Sequence, residues 1–175
     1  SLHHRWLNES YVLAVPPPGW DMCNLDPEIG TFCNLEFFKN ERLLLNRFLD
    51  LIYDTQILCG FNSSGFDDAY ICKRILEVLG PSSLRQMSFP GAPSPRFREL
   101  EFHGKPVIKV ELYGRQTYDY LEVFKKFEVK ERPSNKLEAL ADEFLPHLPK
   151  ISYEGTLADL YKNDFNTFLR YSHRD

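Results

Sequence analysis

Apolar positions in the first part of the chain come in short runs. Tyr11-Val12-Leu13-Ala14-Val15 predicts a buried strand, closed by Pro16-Pro17-Pro18-Gly19, and residues 31–35 predict a second, with a loop over 19–30. From Asn40 the period changes. Leu43, Leu44, Phe48, Leu51 and Ile52 recur at helical spacing, Asn40 can cap the helix, and Glu41 falls in its first turn. The run 57–61 is apolar throughout and predicts a core strand of the parallel type, followed by a helix over 66–79 that Gly80-Pro81 ends. Residues 81–95, rich in Ser, Pro and Gly, read as loop, and two alternating segments, 96–102 and 107–113, predict a β-hairpin. A strand over 117–120 runs into a helical stretch over 121–127. Ser134 is placed to cap a helix through Leu137, Leu140, Ala141 and Phe144. Thr156-Leu157-Ala158-Asp159 matches a capping box, and Asp164 can cap a last helix through Tyr171. Strand and helix alternate, which argues for an α/β domain.

Composition narrows the class without naming a function. The 175 residues suffice for one domain with a sizeable core, and 43% apolar, 14% aromatic and 26% charged residues describe a folded globular chain. The net charge of −4 gives no global attraction to nucleic acid, although the first 70 residues are acidic and 96–136 is mildly basic. Cys23, Cys33, Cys59 and Cys72 form no C-x-x-C pair, so free thiols in a reducing, intracellular setting are expected, with Cys59 and Cys72 buried. No apolar run approaches the ~20 residues of a membrane span, and no membrane partner is expected. The chain opens without an initiator Met and ends inside a helical pattern, which suggests a fragment of a longer polypeptide.

Two clusters carry candidate chemistry. Asn62-Ser63-Ser64-Gly65-Phe66-Asp67 follows an apolar strand where a helix begins, the place at which α/β folds gather ligands. A carboxylate there also complements the helix dipole, by ~0.3–1 kcal/mol. Asp68 can serve as that cap, which leaves Asp67 for either role. Tyr171 and Asp175, four apart, share one helix face, where a hydroxyl and a carboxylate can orient a water and hold a divalent metal. A buried Tyr beside a solvated Asp is the plain alternative. His173 lies on a different face.

Taken in order, these motifs resemble the second and third exonuclease motifs of family B DNA polymerases. The strand Ile57-Leu58-Cys59-Gly60-Phe61-Asn62 is similar to that family's "iltGyN", and Tyr70 and Arg74 fall where its next helix carries Tyr and Arg. Glu41-Arg42-Leu43-Leu44 resembles "sEkeLL". Tyr118-Asp119-Tyr120-Leu121-Glu122-Val123-Phe124-Lys125-Lys126-Phe127 resembles "lDyidlyKkf", and Pro133-Ser134-Asn135-Lys136-Leu137 resembles "psysL". The segment holding Lys150, Tyr153 and Gly155 also has a counterpart. The resemblance covers roughly residues 30–175 and is closest in flavour to bacteriophage and other viral members.

It implies a proofreading 3′→5′ exonuclease with a ribonuclease-H-like (DnaQ-like) α/β fold, incomplete at both ends, and with residues 96–113 as an inserted hairpin that helps part primer from template. In that family four acidic residues hold two divalent ions, Mg²⁺ or Mn²⁺, which activate water and stabilise the attacking and leaving oxygens. By that resemblance Asp67 and Asp175 are metal ligands and Tyr171 orients the nucleophilic water. Asn62 and Phe66 contact the frayed 3′ strand, Phe66 by packing on base or sugar. The implied partners are the single-stranded 3′ end of primer DNA, a polymerase domain later in the same chain and a sliding clamp. The implied location is the site of DNA replication, in a host cell for a viral protein.

The sequence departs from the family in three places. The first motif, Asp-x-Glu on an apolar strand, is not found. Asp26-Pro27-Glu28 has the spacing, but Pro27 cannot sit in a central strand, and Asp142-Glu143 is adjacent and helical. Ser172 stands where Asn is common, and Asp175 is the last residue. With two of four ligands, the isolated 175 residues are expected to have negligible nuclease activity. A stand-alone exonuclease of the same superfamily, a nucleic-acid-binding module with a decayed site, and a purely structural α/β domain are the alternatives.

Overall fold

The computed structural model describes residues 1–102, 104–128, 132–145, 147 and 151–174. The chain divides into two compact units, Ser1–Leu44 with Glu138–Asp175, and Leu45–Leu137.

In the first unit, β1 (Leu2–His4) and β2 (Glu9–Ala14) form a hairpin, and β2 pairs in parallel with β3 (Asn34–Phe37), Val12 facing Leu35. Expected strand 31–35 therefore begins later. Residues 29–31 close a 3₁₀ turn in which Thr31 donates both its N–H and its hydroxyl to the Glu28 carbonyl. The parallel partner must be reached by a crossover, and the 15–33 segment makes it with two 3₁₀ turns. Helix α7 (Phe165–Arg174), which appears last in the chain, packs on β2. Its apolar positions Phe165 and Leu169, one turn apart, join Val12, Ala14 and Ile29 in a core flanked by Trp20, Leu35, Phe37, Tyr161 and Phe168. Trp20 meets Phe165 edge-on at 5.0 Å, and the Tyr161 hydroxyl, which sits in helix α6 (Leu157–Asn163), is satisfied by the Val15 carbonyl.

Both helix starts here follow their predicted caps. Thr156 and Asp159 exchange the two bonds of a capping box, and Asp164 accepts from the N–H and hydroxyl of Thr167. Ser134 does not cap. Its hydroxyl accepts from Lys136 N in a turn ahead of α5 (Leu137–Phe144), because the helix starts three residues later.

Helix α1 (Glu41–Ile52) is capped by Asn40, whose Oδ1 accepts from Leu43 N at 3.1 Å. Its buried stripe is Leu45, Leu49 and Ile52, while Leu43 is exposed, so the face is rotated from the expected one. The helix holds enough leucines to draw more than one stripe, and packing selects among them.

In the second unit, β4 (Ile57–Gly60) pairs in parallel with β7 (Gln116–Asp119), Gly60 opposite Asp119. The strand is parallel as expected but not buried throughout. Ile57 and Cys59 are exposed, since successive side chains alternate faces. All four cysteines are free, and Cys72 is the buried one. Helix α2 (Asp67–Val78) ends as predicted, with Gly80 at φ 96° sending its N–H back to the Ile75 carbonyl. Residues 81–95 are not simply loop: α3 (Pro81–Leu84) and a 3₁₀ turn at Arg85–Met87 bury Leu84 and Met87. The hairpin is tighter than expected, β5 (Arg96–Phe102) pairing with β6 (Lys105–Glu111) so that 102 faces 105. Helix α4 (Tyr120–Phe127) follows β7 directly.

Arg115 ties this unit together. Its buried guanidinium donates to the carbonyls of Ile52, Tyr53, Thr55 and Gln86 and lies over the Phe89 ring. Among the described residues, no helix is long and apolar enough to cross a membrane.

Candidate functional site

The strongest sequence motif occupies the loop between β4 and α2 in the second unit. Parallel pairing sets Gly60 against Asp119, so the chain leaving β4 passes over the end of β7. Two strands thus end side by side at the edge where parallel sheets collect ligands. The loop turns sharply. Asn62 takes a left-handed conformation (φ 60°), which Asn tolerates better than most residues, and Ser63–Gly65 form one 3₁₀ turn. Gly60 is required by close approach, because a Cβ there would lie 2.5 Å from Ser63 Cβ.

The loop is held from below by Asp119, buried at 7% exposure. Its Oδ1 accepts from Asn62 N at 2.8 Å and Leu121 N at 3.0 Å. Its Oδ2 accepts from Ser64 N at 3.1 Å and the Ser64 hydroxyl at 2.8 Å. Burial pushes this carboxyl up, but the bonds from Ser64, Asn62 and Leu121 together outweigh burial and hold it below the usual carboxylate range. The four bonds use all the lone-pair sites of a carboxylate.

Asn62, Phe66 and Asp67 come together on this loop, and all three are exposed. Phe66 is 63% exposed, and its ring stacks almost parallel on Tyr70, with centroids 5.7 Å apart and Tyr70 54% exposed. Such a pair of open aromatic faces suits contact with an unstacked base. Asp67 opens α2, whose cap position is Phe66 and has no side-chain cap bond. Asp68 falls in the first turn of the same helix, where a carboxylate complements the helix dipole. Half-buried, its carboxyl is pushed up first by burial and then by the Asp67 and Asp119 carboxylates. Cys72, one turn further and fully buried, is pushed to about 12 by burial and by Asp68, so it is inert as a thiolate.

Tyr171 lies in the other unit, half-buried on α7, with its ring edge-on to Tyr153 at 5.2 Å. Asp175 and Lys150 lie outside the described residues. His173, set aside from the pair, packs against Phe32 at 4.8 Å, and burial lowers its pKa. Asp26 and Glu28 are in a loop, as Pro27 requires. Both meet Arg170, while Asn166 of α7 accepts from Asp26 N and donates to the Asn24 carbonyl. They dock this loop on the helix within the first unit.

A two-ion centre needs a convergent set of carboxylates. Among the described residues, no three His, Cys, Asp or Glu side chains come together to hold a metal. Asp119, the carboxylate nearest the loop, has its acceptor sites filled. Asp67 alone does not make a metal site.

The family model for the exonuclease domain of family B DNA polymerases matches residues 23–140, about two thirds of the chain. The chain belongs to this family. The matched span contains the whole β4–α2 loop and β7. The chain is also similar to the DNA-directed DNA polymerase of Escherichia phage RB69, 27% identical over 137 residues, and to that of Enterobacteria phage T4, 28% identical over 137 residues. In both cases the match covers 77% of this chain and 15% of the relative.

Within this exonuclease domain, the role of Asp119 is not evident from the sequence. The residue stands inside the recognised stretch 118–127 but carried no function there. One signal was available: an Asp between a strand and a helix with Glu122 in its first turn is an N-cap. Its second task, holding a loop 55–57 residues away, depends on strand pairing and is not written locally.

Proposed function

We propose that this chain is the proofreading 3′→5′ exonuclease part of a DNA polymerase, removing the 3′-terminal nucleotide of single-stranded DNA. The observation that carries the proposal is the exposed Asn62–Phe66–Asp67 loop at the carboxyl end of β4, inside the span matched by the family model. In this reading Phe66 packs on the terminal base or sugar, Asn62 contacts the strand, and Asp67 is a carboxylate ligand. Tyr171 and Asp175 keep their proposed roles of orienting water and binding metal.

Two divalent ions, Mg²⁺ or Mn²⁺, belong to the proposal as a property of the complete carboxylate set, to which Asp67 contributes one member. Their part would be to activate water and neutralise developing charge. A ribonuclease-H-like fold is proposed on the same footing, supported by the parallel pair β4–β7, with α2 following β4 after the 61–66 loop and α4 following β7 directly. The partners proposed are the 3′ end of primer DNA, a polymerase domain on the same polypeptide and a sliding clamp, at the site of replication in an infected host cell.

The test is Asp67→Ala in the full-length polypeptide, with 5′-labelled single-stranded DNA and Mg²⁺. Trimming from the 3′ end should vanish while DNA synthesis survives. Unchanged trimming would show that Asp67 is not a ligand.

A further inference from the structure

We infer that Asp119 is a positioning residue for the nuclease loop, with Ser64 as its relay. The inference rests on the proposed function for its kinetic consequence and on geometry alone for the clamp.

The loop 61–66 has little to hold it in place. It has no apolar side chain that is fully buried, and its one 3₁₀ turn closes with bonds of 3.2–3.3 Å, from Phe66 N to the Ser63 carbonyl and Gly65 N to the Asn62 carbonyl. Asn62 also pays for a left-handed backbone. Against this, a single buried carboxylate makes two bonds to loop amides and one to a loop hydroxyl. Its fourth bond, to Leu121 N, fixes the carboxylate itself to the first turn of α4. A rigid strand end and a rigid helix start therefore define where Asn62 and Ser64 sit, and Phe66 and Asp67 follow within three residues.

The Ser64 hydroxyl has one proton and two carboxylate neighbours, Asp119 Oδ2 at 2.8 Å and Glu122 Oε1 at 3.0 Å. Glu122 in turn meets Lys109 Nζ of hairpin strand β6 at 3.2 Å. The ammonium satisfies Glu122, which leaves the hydroxyl proton to Asp119. All four sites of Asp119 are then occupied by protein donors, so it acts by placing the loop and not as a ligand.

Asp119→Asn separates these bonds. Its carbonyl oxygen can still serve Asn62 N and Leu121 N, but its NH₂ now faces the Ser64 N–H, donor against donor. Ser64→Ala removes the hydroxyl alone and keeps the α4 cap, so folding is safe in that variant. In the full-length polypeptide, amide hydrogen exchange should rise about tenfold at Ser64 in Asp119→Asn, while Ile75 in α2 stays protected.

The kcat for trimming single-stranded DNA should fall about 100-fold in Asp119→Asn, the scale of a 1 Å misplacement, with KM changed less than about threefold. Ser64→Ala should lose less. The double variant should be no slower than Asp119→Asn, because both changes act through one contact. Unchanged exchange at Ser64, a loss confined to KM, or independent additive losses would each overturn the inference. A parent polypeptide with no nuclease activity would instead overturn the functional reading, and the exchange experiment would still decide the clamp.

Discussion

Removing the Arg115 guanidinium should be among the most damaging single changes in the second unit. The side chain is 5% exposed and serves four carbonyls, those of Ile52, Tyr53, Thr55 and Gln86. Three of them belong to the turn that leaves α1, and the fourth to the 3₁₀ turn after α3. Arg115→Met keeps much of the aliphatic stem and removes every donor. The Ile52 carbonyl keeps its bond from Thr55 N but loses a buried, charge-assisted one, worth about 1.5–3 kcal/mol. The other three sit at part-buried positions and lose less each, since water can reach them. The total expected is about 3–5 kcal/mol, at the severe end for one substitution and a large share of a typical domain's stability.

In a chain of this size about 1 kcal/mol moves the midpoint by about 2–4 °C, so the thermal transition should drop by roughly 6–20 °C. The assay is thermal and urea unfolding of the 175-residue chain followed by circular dichroism. Arg115→Lys should recover only part of the loss, because an ammonium cannot reach four carbonyls spread over a planar fork. A shift below about 1 kcal/mol in Arg115→Met would show that the carbonyls are served by water and that the fork is not what joins these turns.

Gly60→Ala should displace the 61–64 loop, since its Cβ would meet Ser63 Cβ at 2.5 Å; overpacking of this kind costs about 1–3 kcal/mol, and three-prime trimming should fall with it, both measurable on one preparation. Phe66→Ala should weaken binding of single-stranded DNA by about 1–3 kcal/mol in a fluorescence titration if a base stacks there, and unchanged affinity would remove Phe66 from the substrate contacts. Thr156→Ala should cost about 1 kcal/mol through loss of the capping box, read from urea midpoints.

The pH dependence of stability should carry the signature of Asp119. Its carboxyl is held below the ordinary carboxylate value of about 4, so its contribution is present above that pH and disappears as pH falls through the depressed folded value. Asp119→Asn should flatten the stability profile in that acid range; an identical slope in both proteins would mean that the carboxyl is not depressed.

Local signals foretold local structure well. Asn40, Thr156, Asp164 and Gly80 end or start their helices where the chain says they should, because a cap needs only atoms within three or four residues. The Asn-x-x-x-Phe-Asp loop was legible for a related reason: its residues are contiguous, and the strand, turn and helix start that carry them follow one another in the chain.

What failed needed distant partners. The buried face of α1 fell on Leu45, Leu49 and Ile52 because leucines populate several sides of that helix, and only the neighbours can choose one. Asp68 stands in the first turn of α2, as its place in the sequence says, but its burial beside two carboxylates is set by packing. Arg115 and Asp119 read as ordinary charges in a mildly basic stretch and at a strand end. The first is buried by turns 60 residues before it, the second by a loop brought over it when β4 pairs with β7. The residue types and their order thus determined the family, most of the caps and the exposed motif. The partners of buried charge were decided by strand register and packing, because a charge can leave water only where the fold delivers enough hydrogen bonds to replace it.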